Sequence, residues 1–334
     1  MARVTLGDIA AELGVSKFAV SRALAGKGGV SPTTRQLVEE AADRLGYLRA
    51  APRESDEIQL ILHDHDPVNS ELAMQIQAGV QQEASAAGVP IRMGWTHDPA
   101  EVAALAREAS GAVLFGPHSA EAVEAARSAR KPLVRIGWLD PLQQVDQVMA
   151  ADHEAGAAVG NYLAGLGHRE IAYVHGTPGF RGRMERLFGL RETAEIEHGV
   201  LIHEMKFVEN AQFSNAFREL RAKTDGVTAF FCAHDGLALT VVSELLRLGY
   251  QVPEDMTVVG FGDFTAATQI TPQLTTVRLP GRDMGMAAIR LLVDRIKLGN
   301  RNIAVAQRLY VVPEIIERES SGPRRAGKLL KVPA

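Results

Sequence analysis

From Ile58 onward the chain alternates short β-rich runs with longer amphipathic segments, and that alternation leaves few folds open. Ile58–His63, Ile91–Trp95, Ala112–Phe115 and Leu133–Ile136 read as strands, with helical patterns at 70–87, 99–109 and 119–129 between them. The rhythm resumes with a helix near 153–166, a strand at 170–175 and a helix near 183–198. Apolar strands at 227–232 and 257–261 then flank a helix at 236–248. Short strands joined by helices imply parallel sheets covered on both faces, because a parallel neighbour needs a crossover long enough to hold a helix. One continuous sheet and two separate lobes both satisfy this pattern.

The first fifty residues break the rhythm. Thr5 with Asp8 three residues on is a capping-box pattern, and Leu6, Ile9, Ala10 and Leu13 fall on one helical face that Gly14 ends. Ser16 caps a second helix running to Gly26, with Val20 and Leu24 inward; Ser31-Pro32 opens a third, with Val38, Ala41 and Leu45 inward, ended by Gly46. Three short helices with only Gly14-Val15 between the first two describe a helix-turn-helix, whose second helix enters the DNA major groove. Lys17 and Arg22 would then donate to guanine acceptors, and Phe18 would pack on a thymine methyl. Thr5, Ser16, Ser21, Ser31 and Thr34, with the amides at helix starts, suit phosphates, as does Arg49. A three-helix packing module with a solvated basic face satisfies the same periodicity. Charge favours the DNA reading. Residues 1–53 carry eight basic and five acidic residues, a net +3, whereas the whole chain is −4. A basic head on an acidic body suits a polyanion at the head alone.

The order and spacing of these residues resemble the lactose/galactose-repressor (LacI/GalR) family. The resemblance is carried by Thr5-Leu6-x-Asp8-Ile9-Ala10, Gly14-Val15-Ser16, Val20-Ser21-Arg22-Ala23-Leu24, Val30-Ser31, Thr34-Arg35 and Leu45-Gly46-Tyr47. In the body, Asp152, Gly156 and Leu163 with Gly167-His168-x-x-Ile171 are similar to the family, as are Val252-Pro253-Glu254-Asp255 and Pro313-Glu314-x-x-x-Arg318-Glu319-Ser320. The resemblance implies a helix-turn-helix head and a two-lobed α/β body of the periplasmic-binding-protein type with parallel sheets. It implies a homodimer on double-stranded, near-palindromic operator DNA, base reading by Lys17, Phe18 and Arg22, and a repressor responding to a small effector. The expected organisation is a head at 1–47, a linker at 48–57, a body at 58–320 and a disordered tail at 321–334. Within the body, a first lobe is expected at about 58–149 plus 280–303, and a second at about 150–279 plus 304–320. Helices at 70–87 and 283–298, with Met284, Ala287, Ile289 and Leu292, are expected to meet a partner subunit. The linker departs from the family. Its usual Pro-Asn start and minor-groove Leu are missing, and Pro52 would break a helix there. Weaker minor-groove anchoring is therefore expected, with more affinity from phosphates at Arg49 and Arg53.

In parallel α/β lobes, ligands sit at the carboxyl ends of the strands. That places Asp64, Asn69, Ser70, Arg135, Arg183, Arg186, His234 and Asp263 as candidate effector contacts. By resemblance, Arg186 in Arg186-Leu187-x-Gly189 grips effector with its guanidinium fork. Where the family has Gly-Phe-Asp-Asp, this chain reads Gly260-Phe261-Gly262-Asp263, so an acceptor for sugar hydroxyls is absent. The aromatic pair usual after the first strand is replaced by Leu72-Ala73. With Arg135, Arg181, Arg183 and Arg186 near the cleft, a sugar phosphate is expected over a plain monosaccharide, within a sugar or sugar-phosphate class. His63-x-His65 with interleaved acids also fits a metal site, but alternate residues of one strand end supply two ligands where three or four are needed, so no metal is expected. No nucleophile elbow or phosphate loop is present, and Cys232 lies in an apolar strand. No enzyme activity and no cofactor are expected. With one cysteine, no bilayer-length apolar run and no signal-peptide pattern, the expected location is the cytoplasm, without membrane association.

Overall fold

The computed structural model describes residues 5–24, 30–45, 57–63, 70–138, 140–176, 180–207, 212–299 and 305–325. The chain divides into a small unit, Met1–Ser55, and a large one, Asp56–Ala334.

The small unit holds helices α1 (Leu6–Leu13), α2 (Lys17–Leu24) and α3 (Pro32–Arg44). Its local chemistry sets its boundaries. Asp8 accepts hydrogen bonds from the Thr5 backbone N–H at 2.7 Å and from the Thr5 hydroxyl at 2.8 Å. Gly14 ends α1 in the left-handed region at φ 65°, which costs glycine nothing. The Ser16 hydroxyl accepts from Ala19 N, and the Ser31 hydroxyl accepts from Thr34 N, each at 3.1 Å. Ile9, Val20, Val38 and Ala41 meet as a fully buried core.

The large unit contains two six-stranded sheets. The first comprises β1 (Ile58–Leu62), β2 (Ile91–Trp95), β3 (Gly111–Phe115), β4 (Leu133–Ile136), β5 (Asp146–Ala150) and β11 (Arg308–Val311), in the spatial order β11-β5-β4-β3-β1-β2. All its pairings are parallel. The second comprises β6 (Glu170–His175), β7 (Leu201–Lys206), β8 (Ala229–Cys232), β9 (Thr257–Gly262), β10 (Thr275–Arg278) and β12 (Glu314–Ile316), in the order β12-β10-β9-β8-β6-β7. Only β12 runs antiparallel there. Helices α4 (Ser70–Ala87) and α11 (Gly281–Leu298) pack on one face of the first sheet, and α5 (Pro99–Glu108) and α6 (Ala120–Arg127) cover the other. In the second lobe, α7 (Asp152–Gly165) packs on α8 (Arg181–Arg191), which continues as a π-turn over Glu192–Glu197. Helices α9 (Phe213–Lys223) and α10 (Asp235–Arg247) complete it.

Two expected boundaries need correction. The first lobe reclaims the chain at β11, so residues 308–311 belong with the first sheet, and the last crossing falls at Val312–Pro313. The ordered body also runs past Ser320. Ser321 is buried against Thr275 (Oγ–Oγ1 2.7 Å), and Arg324 N donates to Leu166 O at 2.8 Å. Disorder therefore does not begin at 321; residues 326–334 lie outside the described residues.

Each lobe is built on one close helix pair held by glycine. A β-carbon at Gly79 of α4 would stand 1.9 Å from the Arg282 carbonyl oxygen of α11, and one at Gly285 would stand 2.3 Å from the Ile76 carbonyl oxygen. In the second lobe, Gly156 of α7 faces the Arg186 carbonyl oxygen at 2.0 Å by the same measure, and Gly189 of α8 faces that of His153 at 1.9 Å. The α4–α11 packing also corrects the expected partner contact. Met284, Ile289 and Leu292 are buried inside their own lobe, so they cannot face a second subunit.

Three histidines are held neutral by the fold. Burial pushes the pKa of His118, His168 and His234 down to about 4 from an ordinary 6.5. Between those values the unfolded chain takes up protons that the native state refuses, so the stability present above pH 6.5 is lost as the pH falls toward 4. With three such groups, roughly 3–4 kcal/mol should be lost per pH unit near pH 5. Urea unfolding at pH 7.5 and pH 5 measures this, and equal midpoints would contradict it.

Candidate nucleic-acid interface and ligand cleft

Helix α2 presents one face to solvent. Lys17, Phe18 and Ser21 are exposed, and Phe18 keeps 69% of its surface accessible, unusual for so large an apolar side chain. The Arg22 guanidinium lies 5.4 Å from the Phe18 ring centre, so the aromatic ring and the cation form one patch. Val20 and Ala23 on the opposite side are buried. Thr5 and Ser16 are exposed at the starts of α1 and α2; Ser31 is exposed at the start of α3, its hydroxyl 2.7 Å from Thr34 Oγ1. Each of these four also serves a cap or turn, so their contribution to the fold is independent of DNA. Arg49 and Arg53 lie outside the described residues.

Between the two lobes of the large unit lies a cleft open to solvent. The first lobe contributes Leu72, Phe115, Ile136 and Trp138; the second contributes Asp152, the segment from Phe180 to Arg186, His234, Phe261 and Phe264. The lobes touch at its rim. Trp138 meets Phe180 edge to face at 5.7 Å, and the Glu71 carboxylate accepts from both Thr265 N and Thr265 Oγ1 at 2.9 Å.

Arg183, Arg186 and His234 line this cleft. Arg186 is braced three ways: its Nε donates to Asp152 Oδ1 at 2.7 Å, its Nη1 donates to the Ala233 carbonyl, and its guanidinium lies 3.4 Å from the centre of the Phe261 ring. Arg183 stands over Phe180 at 4.2 Å. His234 caps α10, its Nδ1 accepting from Leu237 N at 3.3 Å. Burial, reinforced by the charges of Arg183 and Arg186, keeps it neutral, so the proton sits on Nε2 as a donor.

Three expected contacts do not reach the cleft. Arg135 is 1% exposed and projects from the opposite side of β4, where Nη1 donates to Asp140 Oδ2 and to Gln143 Oε1, each at 2.5 Å. Strand alternation explains this: Val134 and Ile136 face the α4–α11 core, so Arg135 must face away. Asp263 is held between Arg278 and Arg318 and serves the fold. Ser70 is exposed at the start of α4, and its neighbour Glu71 makes the cross-lobe contact. Asp64 and Asn69 lie outside the described residues, as does His65. Among the described residues no group of three or more histidine, cysteine or acidic side chains is placed to hold a metal ion.

The cleft also revises the expected ligand chemistry. The missing carboxylate at Gly262 makes room for a ring: a β-carbon there would stand 2.6 Å from Phe264 Cε2. Asp235 locks that ring's backbone, accepting from Phe264 N at 2.9 Å and from Thr276 Oγ1 at 2.6 Å. Flat faces are therefore supplied by Trp138, Phe180 and Phe264 rather than by residues 72 and 73. The positive charge is weaker than the arginine count suggests, since Arg181 is paired with Glu185 and Arg186 with Asp152.

Comparison with known proteins agrees with both halves. A family model described as bacterial regulatory proteins of the lacI family matches residues 5–50, and one described as a periplasmic binding protein-like domain matches 161–321. The chain is 32% identical to the HTH-type transcriptional regulator CelR of Thermobifida fusca, over 88% of this chain and 92% of that protein. It is 29% identical to the HTH-type transcriptional regulator MalR of Streptomyces coelicolor, over 97% and 98%. Among solved structures, a transcriptional regulator CelR–cellobiose complex superposes with a TM-score of 0.69 at 30% identity, covering 96% of this chain and all of that one.

Proposed function

Because the chain belongs to the LacI family of bacterial transcriptional regulators, we propose that it is a repressor that binds a near-palindromic operator as a homodimer and releases or tightens its grip when a small ring-bearing metabolite of the sugar class fills the interlobe cleft. The observation that carries the DNA half is the exposed pair Lys17 and Phe18, with half-buried Arg22 beside the Phe18 ring, on a helix whose other side is the core of its unit. The cleft supports the sensing half, with aromatic faces, braced cations and a neutral histidine donor drawn from both lobes. The relative solved with cellobiose supports a glycoside class, and the pairing of Arg181 and Arg186 with carboxylates moves the preference from sugar phosphates toward neutral ligands.

Ligand that prefers one lobe arrangement changes operator affinity, and operator must change ligand affinity by the same factor. The test is a selected-operator screen read by fluorescence anisotropy, repeated across neutral and phosphorylated sugars. A salt-sensitive, sequence-specific complex shifted at least fivefold by one ligand is expected. Binding to random duplex alone, or turnover of a ligand without operator binding, would overturn the proposal.

A further inference from the structure

One glycine of the small unit has no backbone reason to be where it is. Gly7 lies in the first turn of α1 with an ordinary helical backbone, where glycine weakens a helix relative to alanine. The space its missing side chain leaves is filled from the next helix. A β-carbon at Gly7 would stand 2.8 Å from Lys17 Cε and 3.2 Å from Lys17 Nζ, with Thr5 Oγ1 at 3.3 Å. The Lys17 stem therefore reaches back from the first residue of α2 and ends on α1.

Two neighbours define this seat. The Ser16 hydroxyl caps α2 by accepting from Ala19 N, which fixes where Lys17 leaves its helix. Asp8, the next residue after Gly7, is held in place by the backbone N–H and hydroxyl of Thr5. Those bonds keep its carboxyl below the ordinary carboxylate range, and the Lys17 charge nearby adds to the effect. The seat is thus a bare stretch of helix with a fixed anion beside it. Phe18 and Arg22 instead pair with each other, ring centre to guanidinium 5.4 Å.

We propose that Gly7 is a specificity-determining residue: by seating the Lys17 stem on α1 it holds the ammonium at the corner of α1 and α2, and so selects which operator base pair Lys17 reads. This rests on reading α2 as the recognition helix. A lysine is a point charge on a flexible stem, so it discriminates between bases only where something restricts its reach, whereas the planar fork of Arg22 is pre-organised. Any side chain at position 7 would take the place where Lys17 Cε rests and push the ammonium off α1. Alanine suffices for this, and the lysine end can swing aside while the helices stay where they are. Gly7 acts only through Lys17, as a positioning residue.

Anisotropy on the full chain tests this with the operator selected from random duplexes and with symmetric single-base-pair variants of it. Lys17→Ala should flatten the preference at one position of the half-site, and Arg22→Ala should mark a different one. Gly7→Ala should alter the preference at the Lys17 position by about fivefold or more, the lower end for one base contact, and leave the Arg22 position within about twofold. Added to Lys17→Ala, Gly7→Ala should change nothing beyond about twofold, because the side chain it acts through is gone. Alanine is the better helix former, so the variant keeps its fold, and a melting curve checks that. An unchanged Lys17 position in Gly7→Ala, a change that persists without Lys17, or an equal change at the Arg22 position would overturn the assignment. A Lys17→Ala protein with the parent's preference at every position would overturn it too. The parent protein keeps the failures apart: no preferred operator refutes the regulator and this role with it, whereas a preferred operator with an indifferent Gly7→Ala refutes the role of Gly7 alone.

Discussion

A protein in which Lys17, Phe18 and Arg22 are all replaced by alanine is expected to bind its selected operator no better than random duplex. Lys17 and Phe18 are exposed on α2, half-buried Arg22 lies beside the Phe18 ring, and none of the three belongs to the buried core of the small unit. Two cation-to-guanine contacts contribute about 1–3 kcal/mol of discrimination each, so their joint loss corresponds to roughly 30-fold to 10⁴-fold in specific affinity. Residual binding should be salt-sensitive and indifferent to sequence, since phosphate contacts carry no base information. The melting curve of the body and its ligand affinity should not move. Anisotropy against operator and scrambled duplex measures the ratio, and a preserved preference would mean that α2 is not the reading helix.

The second large effect is on stability. Gly156→Val should lower the unfolding free energy by about 3 kcal/mol or more, because the new side chain meets a backbone carbonyl at 2.0 Å and α7 must separate from α8 to admit it. Gly79→Val should cost a similar amount at the α4–α11 contact. The two variants differ in what else they disturb. The carbonyl facing Gly156 belongs to Arg186, whose guanidinium lies in the cleft, so Gly156→Val should also weaken ligand binding. Arg282, opposite Gly79, is not a cleft residue, so Gly79→Val should leave the affinity of the folded fraction unchanged. Denaturant melts with parallel ligand titrations test both, and a Gly156→Val protein as stable as the parent would refute the close-packing argument.

The contrast between these sites explains what could be read from the chain. The helix-turn-helix was legible because its signals are local: Thr5 with Asp8, Gly14, Ser16 and Ser31 each act within four residues, and each makes the expected cap or turn. The buried strands of the body were legible from apolar runs such as Ala112–Phe115. Strands β5, β7 and β10 were not, because Asp146-Gln147, His203-Glu204 and Thr275-Thr276 interrupt the apolar pattern with side chains that only tertiary partners satisfy. At the cleft, Arg183, Arg186 and His234 line the pocket, whereas Arg135 and Asp263 are held in ion pairs elsewhere in the fold. Arg135 could have been excluded by strand alternation from its neighbours. That Phe264 fills the space over Gly262 had no sequence signal, since it depends on how the chain turns after β9.

The late return of the chain to its first lobe fixes the order in which the protein can be made. The first sheet lacks its edge until Arg308–Val311 is synthesised, and its helix α4 lacks its partner until α11 has emerged. The second sheet waits in turn for Glu314–Ile316. Neither lobe can therefore complete its sheet, and the first cannot close its α4–α11 face, before nearly the whole chain has been made, whereas the small unit is complete within its first fifty residues. Nascent chains halted after the small unit but before residue 308 would carry a complete three-helix unit on an unfinished body.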